Sequence, residues 1–252
     1  MNTLEELLQY KNGLNILWTG NDGWLLWDGK RLIGFDLDLC SNIRKEKSNM
    51  NIELLREKLD VLFITHAHDD HFNLATIAKL LPIDCHFIIP QSCEEKVAQT
   101  QIEQQNITFV KPNQQLTIKE IPIRCMRALH GHKEGTIYRN ASLLDCGYII
   151  EFAGKRIYQP GDTVILEEHL SLDKIDVLFI SPTEHNTKIK NSTWLINKLH
   201  PQKIIAQHFG TYIETPENSF WSHGYVDELY ENLNIEQQER FVKPNQKTII
   251  TI

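Results

Sequence analysis

The chain has 252 residues, 41% of them hydrophobic, and its 26 basic against 33 acidic side chains leave a formal net charge of −7. That length is enough to bury about three quarters of the unfolded surface in one core, so a single domain spanning residues 1–252 is expected. The acidic balance disfavours nucleic acid as a partner, because neutralising phosphates takes a basic surface, and no apolar run reaches membrane-spanning length. Five scattered cysteines (Cys40, Cys85, Cys93, Cys125, Cys146) include no CxxC pair, which argues against a disulfide framework or a cysteine-rich zinc site. Residues 1–10 carry Glu5 and Glu6 and lack the basic region and apolar core of a secretion signal. A cytoplasmic protein is expected, with its oligomeric state open, a homo-oligomer included.

In chain order, Leu4, Leu7 and Leu8 predict a short amphipathic helix over 3–10, ended by Asn12-Gly13. Strands over 14–19, 24–27 and 31–35 follow, joined by the Gly20-Asn21-Asp22-Gly23 and Asp28-Gly29 turns. Residues 40–50 read as a polar loop and 51–58 as a helix. The apolar run at 60–64 has the composition of a strand buried on both faces. Directly after it stands Thr65-His66-Ala67-His68-Asp69-Asp70-His71. A helix over 72–81, with Leu74, Ile77, Ala78 and Leu81 on one face, stops at Pro82. Next come a strand at 85–89 and a helix over 92–104, with Ser92 as N-cap and Glu94 and Glu95 in its first turn. Strands over 107–110, 115–119 and 121–128 lead to His130. A hairpin over 148–158 turns at Ala153-Gly154 and runs into Gln159-Pro160-Gly161-Asp162-Thr163. Helices over 164–172 and 193–199 flank a strand, and a further strand over 203–206 precedes His208. Thr215-Pro216-Glu217 has the composition of a helix start.

Three histidines and two aspartates within seven residues ask for a metal, because imidazole and carboxylate suit zinc, manganese or iron. Capping the following helix takes only one of them. The pattern His66-x-His68-x-Asp70-His71 resembles the signature of the metallo-beta-lactamase superfamily. The resemblance implies an α/β fold of the four-layer αββα sandwich type and a binuclear metal-dependent hydrolase. It implies two divalent ions, zinc or manganese first and iron after them. One is held by His66, His68 and a later histidine, and the other by Asp70, His71 and His208, with Asp162 bridging. His130 takes the later position by family register, with His132, two residues on, as its competitor. The same resemblance puts Asn21 and Asp22 near the metals, although turn chemistry explains them equally well.

The implied reaction is attack by a hydroxide held between the ions and oriented by Asp70, so no covalent nucleophile is required. His185 is a candidate to stabilise developing charge or protonate the leaving group. Arg139 and Asn140 are candidates to bind a substrate anion, since guanidinium matches phosphate or carboxylate bidentately. Within the superfamily the chain looks most like the L-ascorbate-6-phosphate lactonase branch. A small anionic lactone or cyclic ester is therefore the expected substrate, with a phosphodiester as alternative. A metal-dependent sensor or interaction protein without catalysis is the reading from another class. His86, His169 and His200 read as structural or solvent-facing, and Trp221 and Tyr230 as aromatic area for a helix or a pocket.

Internal repetition is legible too. Asp60-Val61-Leu62-Phe63-Ile64 recurs as Asp176-Val177-Leu178-Phe179-Ile180, and the six residues 109–114 (FVKPNQ) recur as 241–246. Lys79-Leu80-Leu81-Pro82 parallels Lys198-Leu199-His200-Pro201. The common order predicts two pseudo-duplicated halves whose strand ends meet at one rim.

Overall fold

Leu59-Asp60-Val61-Leu62-Phe63 has one polar side chain, and in the structure, a computed structural model describing residues 3–252, it forms a strand near the middle of a sheet. In chain order the first sheet takes β1 (Asn15–Gly20), β2 (Gly23–Trp27), β3 (Leu32–Phe35), β4 (Leu59–Phe63), β5 (His86–Pro90) and β6 (Ile107–Val110). The second takes β7 (Gln115–Ile118), β8 (Ile121–Arg127), β9 (Cys146–Phe152), β10 (Lys155–Gln159), β11 (Val177–Ile180), β12 (Lys203–Ala206) and β13 (Phe241–Val242). The last strand, β14 (Ile249–Thr251), returns to the first sheet. The spatial orders are β14-β1-β2-β3-β4-β5-β6 and β13-β12-β11-β10-β9-β8-β7.

Val61 and Phe63 enter the core between the sheets, whereas Leu62 joins the core outside the first. The second copy repeats this alternation, with Val177 and Phe179 inside and Leu178 and Ile180 outside. Strands with two apolar faces require cover on both. Leu4 and Leu7 of α1 (Thr3–Leu7), Leu55 of α2 (Ile52–Lys58), Ile77 and Leu80 of α3 (Leu74–Leu80) and Val97 of α4 (Glu94–Val97) cover the first sheet. Leu195, Ile196 and Leu199 of α5 (Lys188–Leu199) join the outer core of the second. Three short helices, α6 (Ser219–Ser222), α7 (Val226–Glu231) and α8 (Ile235–Arg240), close the chain before β13. This is the expected αββα arrangement.

β4 and β11 stand third from corresponding edges, and in each sheet the four strands on that side run parallel while the rest run antiparallel. The repeated aspartates do the same task. Asp60 Oδ2 accepts from Leu32 N at 2.8 Å and Asp176 Oδ2 from Arg156 N at 2.9 Å, each fixing the start of the neighbouring strand. The FVKPNQ strings are the two crossovers. One carries the chain from β6 to β7 and the other from β13 to β14, so each half contributes an edge strand to the opposite sheet.

Several predicted helices are shorter than expected: the one over 3–10 ends at Leu7, that over 72–81 spans Leu74–Leu80, and 164–172 holds only a 3-10 turn, Glu167–Ser171. Residues 91–97 form only a 3-10 turn (Gln91–Cys93) and α4. Ser92 does not cap, because its hydroxyl donates to Asp145 at 2.6 Å, and Thr100 Oγ1 donates to the Val97 carbonyl where the helix would continue. Beyond β12, Asn218 rather than Thr215 precedes the helix, and its side chain accepts from Thr215 N.

A candidate metal centre

Parallel strands ending at a common rim bring distant segments together. β3 ends at Asp36, β4 at the His66–His71 loop, β10 at Asp162, β11 before His185 and β12 before His208. The close approach of the halves depends on Gly161, which has φ of 62°, and a Cβ there would lie 2.7 Å from the Thr65 side chain. Gly131 likewise lets the His130 loop pack on His185, whose carbonyl would lie 2.4 Å from a Cβ at that position.

Hydrogen bonds decide which nitrogen of each imidazole faces inward. Asp36 is fully buried and accepts from Thr65 N, Thr65 Oγ1 and His71 Nδ1, the last at 2.8 Å. Having given its proton to Asp36, the Thr65 hydroxyl accepts from His66 Nδ1 at 3.1 Å. His208 Nδ1 donates to the Trp221 carbonyl at 3.1 Å, and His130 Nδ1 to the Gly131 carbonyl. Each ring is thereby held with its Nε2 turned inward, the arrangement by which outer hydrogen bonds orient metal-binding histidines.

The inward atoms form two separate groups and a third, His130, Asp162 and His185, that overlaps both. His66, His68 and His130 make one, with ligand atoms within 4.8 Å of one another, and Asp22, His71, Asp162 and His208 make the other. His66 Nε2 and His68 Nδ1 are 3.0 Å apart. Donors about 2.1 Å from a common ion stand roughly 3.0–3.4 Å apart at octahedral or tetrahedral angles. Asp162 Oδ2 lies between the groups, 3.2 Å from His130 Nε2, 3.6 Å from His71 Nε2 and 3.4 Å from His208 Nε2. Its other oxygen accepts from Asn186 Nδ2 at 2.9 Å. Asp70 faces the cleft half-buried, its Oδ2 3.4 Å from His71 Nε2 and 3.5 Å from His208 Nε2.

Among the described residues, His71 Nε2, His208 Nε2 and Asp22 Oδ2 are buried without a hydrogen-bond partner. Orphaned buried groups are costly, and three converging on one point fit a cation. Electrostatics agree. Burial opposes charge on His71 and His208, yet the surrounding carboxylates, Asp70 and Asp162 foremost for His71 and Asp162 and Asp22 for His208, raise both imidazoles well above their ordinary range. Asp162 and Asp70 are held well below the usual carboxylate range by those histidines, against the opposing effect of burial. Burial pushes Asp22 up to about 7 and holds His68 and His185 down to about 4. Asp36 is likewise raised by burial, so the cluster gathers four buried or half-buried carboxyl groups, Asp22, Asp36, Asp70 and Asp162, around its imidazoles.

A cleft of about 300 Å³ opens on this cluster, lined by His68, Asp69, Asp70, His130, His132, Tyr138, Asp162, His185, His208, Phe220 and Trp221. The structure separates the two competing histidines: His130 stands with His66 and His68, while His132 is at the cleft wall near Tyr138 and Phe220. Arg139 and Asn140 do not line the cleft. Both are exposed, and the residue their loop turns inward is Tyr138. His185 Nε2 is 2.9 Å from Asp162 Oδ2. Trp221 joins the cleft wall, Tyr230 lies outside it, and His169 is a structural partner of Tyr158. Sequence reasoning left Asp22 undecided and missed Asp36, whose only signal was an aspartate at a strand end.

A model of the beta-lactamase superfamily domain matches residues 15–208. A UPF0173 protein of Pyrococcus furiosus is 23% identical over 211 residues, covering 82% of this chain and 89% of that one. A UPF0173 metal-dependent hydrolase of Thermus thermophilus is 24% identical over 206 residues, 79% of this chain and 85% of its own. Among solved structures, Igni18, a metallo hydrolase from Ignicoccus hospitalis, superposes with a TM-score of 0.71 at 16% identity, over 96% of this chain and 99% of that one.

Proposed function

Because the chain belongs to the metallo-beta-lactamase superfamily, we propose that it is a metal-dependent hydrolase that works through two divalent ions on a small, largely apolar ester or lactone. The observation that carries this reading is the position of Asp162 Oδ2 between two groups of inward-facing donors. His66, His68 and His130 would hold one ion; Asp70, His71 and His208 would hold the other, with Asp162 shared. When bound, such ions lower the pKa of a water toward neutrality and polarise a carbonyl oxygen.

The chain's own residues supply the rest. Asp70, on the cleft side and fixed by Asn21 Nδ2 at 3.1 Å, orients the attacking water. His185 is a positioning residue. Burial keeps it neutral, and a neutral imidazole has one N–H, which its 2.9 Å contact gives to Asp162. Tyr138, Phe220 and Trp221 provide apolar wall for the body of the substrate. Among the described residues, those lining the cleft include no lysine or arginine, whereas Asp69 and Asp70 are both there. This weighs against an anionic lactone or phosphodiester, since the residue expected to receive the anion, Arg139, is outside.

The test is to strip the protein with chelator and reload it with zinc, manganese or iron(II). Bound metal and turnover are then measured on a panel of neutral lactones, open-chain esters, thioesters and phosphodiesters. Two ions per chain and metal-dependent turnover of neutral carbonyl esters are expected. Metal-replete protein inert toward the whole panel would sink the hydrolase reading. Preference for phosphodiesters would overturn the substrate class.

A further inference from the structure

The Asn21-Asp22 turn between β1 and β2 has a composition that ordinarily marks a surface hairpin, yet Asn21 and Asp22 are both buried. Its burial is built by the other half of the molecule. Asn21 N donates to Thr211 Oγ1 at 2.6 Å, the Asn21 carbonyl accepts from Trp18 Nε1 at 2.8 Å, and His208 N donates to the same carbonyl at 3.3 Å. Trp18 in turn stacks on Phe209, ring centroids 4.8 Å apart. A turn aspartate normally accepts from backbone amides two residues on. Asp22 does not. Its Oδ1 reaches only Ser181 Oγ, at 3.5 Å, and its Oδ2 has no partner while standing 3.8 Å from His71 Nε2 and 3.6 Å from His208 Nε2.

Resting on the two-ion reading, we propose that Asp22 is a ligand of the second ion, holding it from its buried side. Asp70 meets the same ion from the cleft side, where Asn21 already occupies part of its Oδ2. With Asp162 shared, the second ion then has three carboxylate oxygens, from Asp22, Asp70 and Asp162, beside two imidazole nitrogens, whereas the first has three imidazoles and the shared oxygen alone. Carboxylate-rich sets suit manganese(II), and imidazole sets suit zinc. The two positions are therefore unlike in metal preference, and Asp22 widens a difference that Asp70 begins.

The experiment compares wild type, Asp22→Asn and Ser181→Ala by metal analysis, manganese(II) titration followed by paramagnetic resonance, and thermal unfolding with and without metal. Wild type should take up two ions. Asp22→Asn should keep one and bind the second at least about tenfold more weakly, with the loss larger for manganese than for zinc. Without metal it should unfold no earlier than wild type, because the substitution removes a buried, unpaired carboxylate. Ser181→Ala should retain both ions. Two ions at wild-type affinity in Asp22→Asn, or metal-free unfolding at lower temperature than wild type, would overturn the assignment and leave the two-ion reading standing. Only one ion in wild type would overturn both.

Discussion

Asp162 divides its oxygens between two tasks: Oδ1 takes a hydrogen bond from Asn186, and Oδ2 faces four imidazoles. An amide at this position keeps an acceptor but loses the charge that offsets two cations. Asp162→Asn should therefore leave the circular dichroism spectrum unchanged, alter metal stoichiometry and slow turnover by about a hundredfold or more. A turn residue after Gly161 would tolerate the same change, since asparagine is as good a turn former. His130 and His132 give a paired test. His130→Ala should cost an ion, whereas His132→Ala should keep both and change KM through the cleft wall, as metal analysis and steady-state kinetics would register. At this scale the histidines were readable because five metal-type side chains crowd one loop. Asp22 was ambiguous because its burial is decided by the 208–211 loop, far away in sequence. Asp36 was invisible because nothing in its surroundings betrays that it orients His71. Arg139 stands outside the cleft because a cation near a candidate ligand in sequence need not face it in space.

The His66–His71 loop is held by a helix that gives no side chain to the candidate donor groups. Lys96 of α4 donates to the Ala67 carbonyl and to Asp69 Oδ1, each at 2.6 Å, and its ammonium lies 5.6 Å from the centroid of the Phe72 ring. The Asp69 pairing is exposed and worth little, so the bond to Ala67 carries the effect. Lys96→Met preserves the aliphatic stem and removes that bond. It should destabilise the protein by about 1–3 kcal/mol in urea unfolding and weaken metal retention by the His66–His71 loop. Elements with period-two or helical apolar patterns were legible because each core dictates its own face. The short α4 was not, because side-chain bonds from Ser92 and Thr100 end it, and these involve partners that helical periodicity does not encode.

Over the whole molecule, the core between the sheets draws side chains from both halves, Phe63 and Phe179 among them, and the candidate metal donors also come from both. Removing metal should therefore loosen the assembly as one body. Each ion bound at a thousandfold above its Kd adds about 4 kcal/mol, so chelation should lower Tm by roughly ten degrees or more, in a single calorimetric transition. The two FVKPNQ crossovers have a topological meaning as well. Because Leu14 N donates to the Ile252 carbonyl and Ile252 N to the Leu14 carbonyl, the described body is nearly a closed ring of two units, opened at one of two equivalent hairpins. The other is the β7–β8 turn at Lys119 and Glu120, both with positive φ. A circular permutant joined through a flexible linker across the present ends and reopened there should exchange which unit comes first while recovering the same fold and metal content. The order of synthesis is then incidental to this architecture, and what the chain conserves under rotation is the cycle.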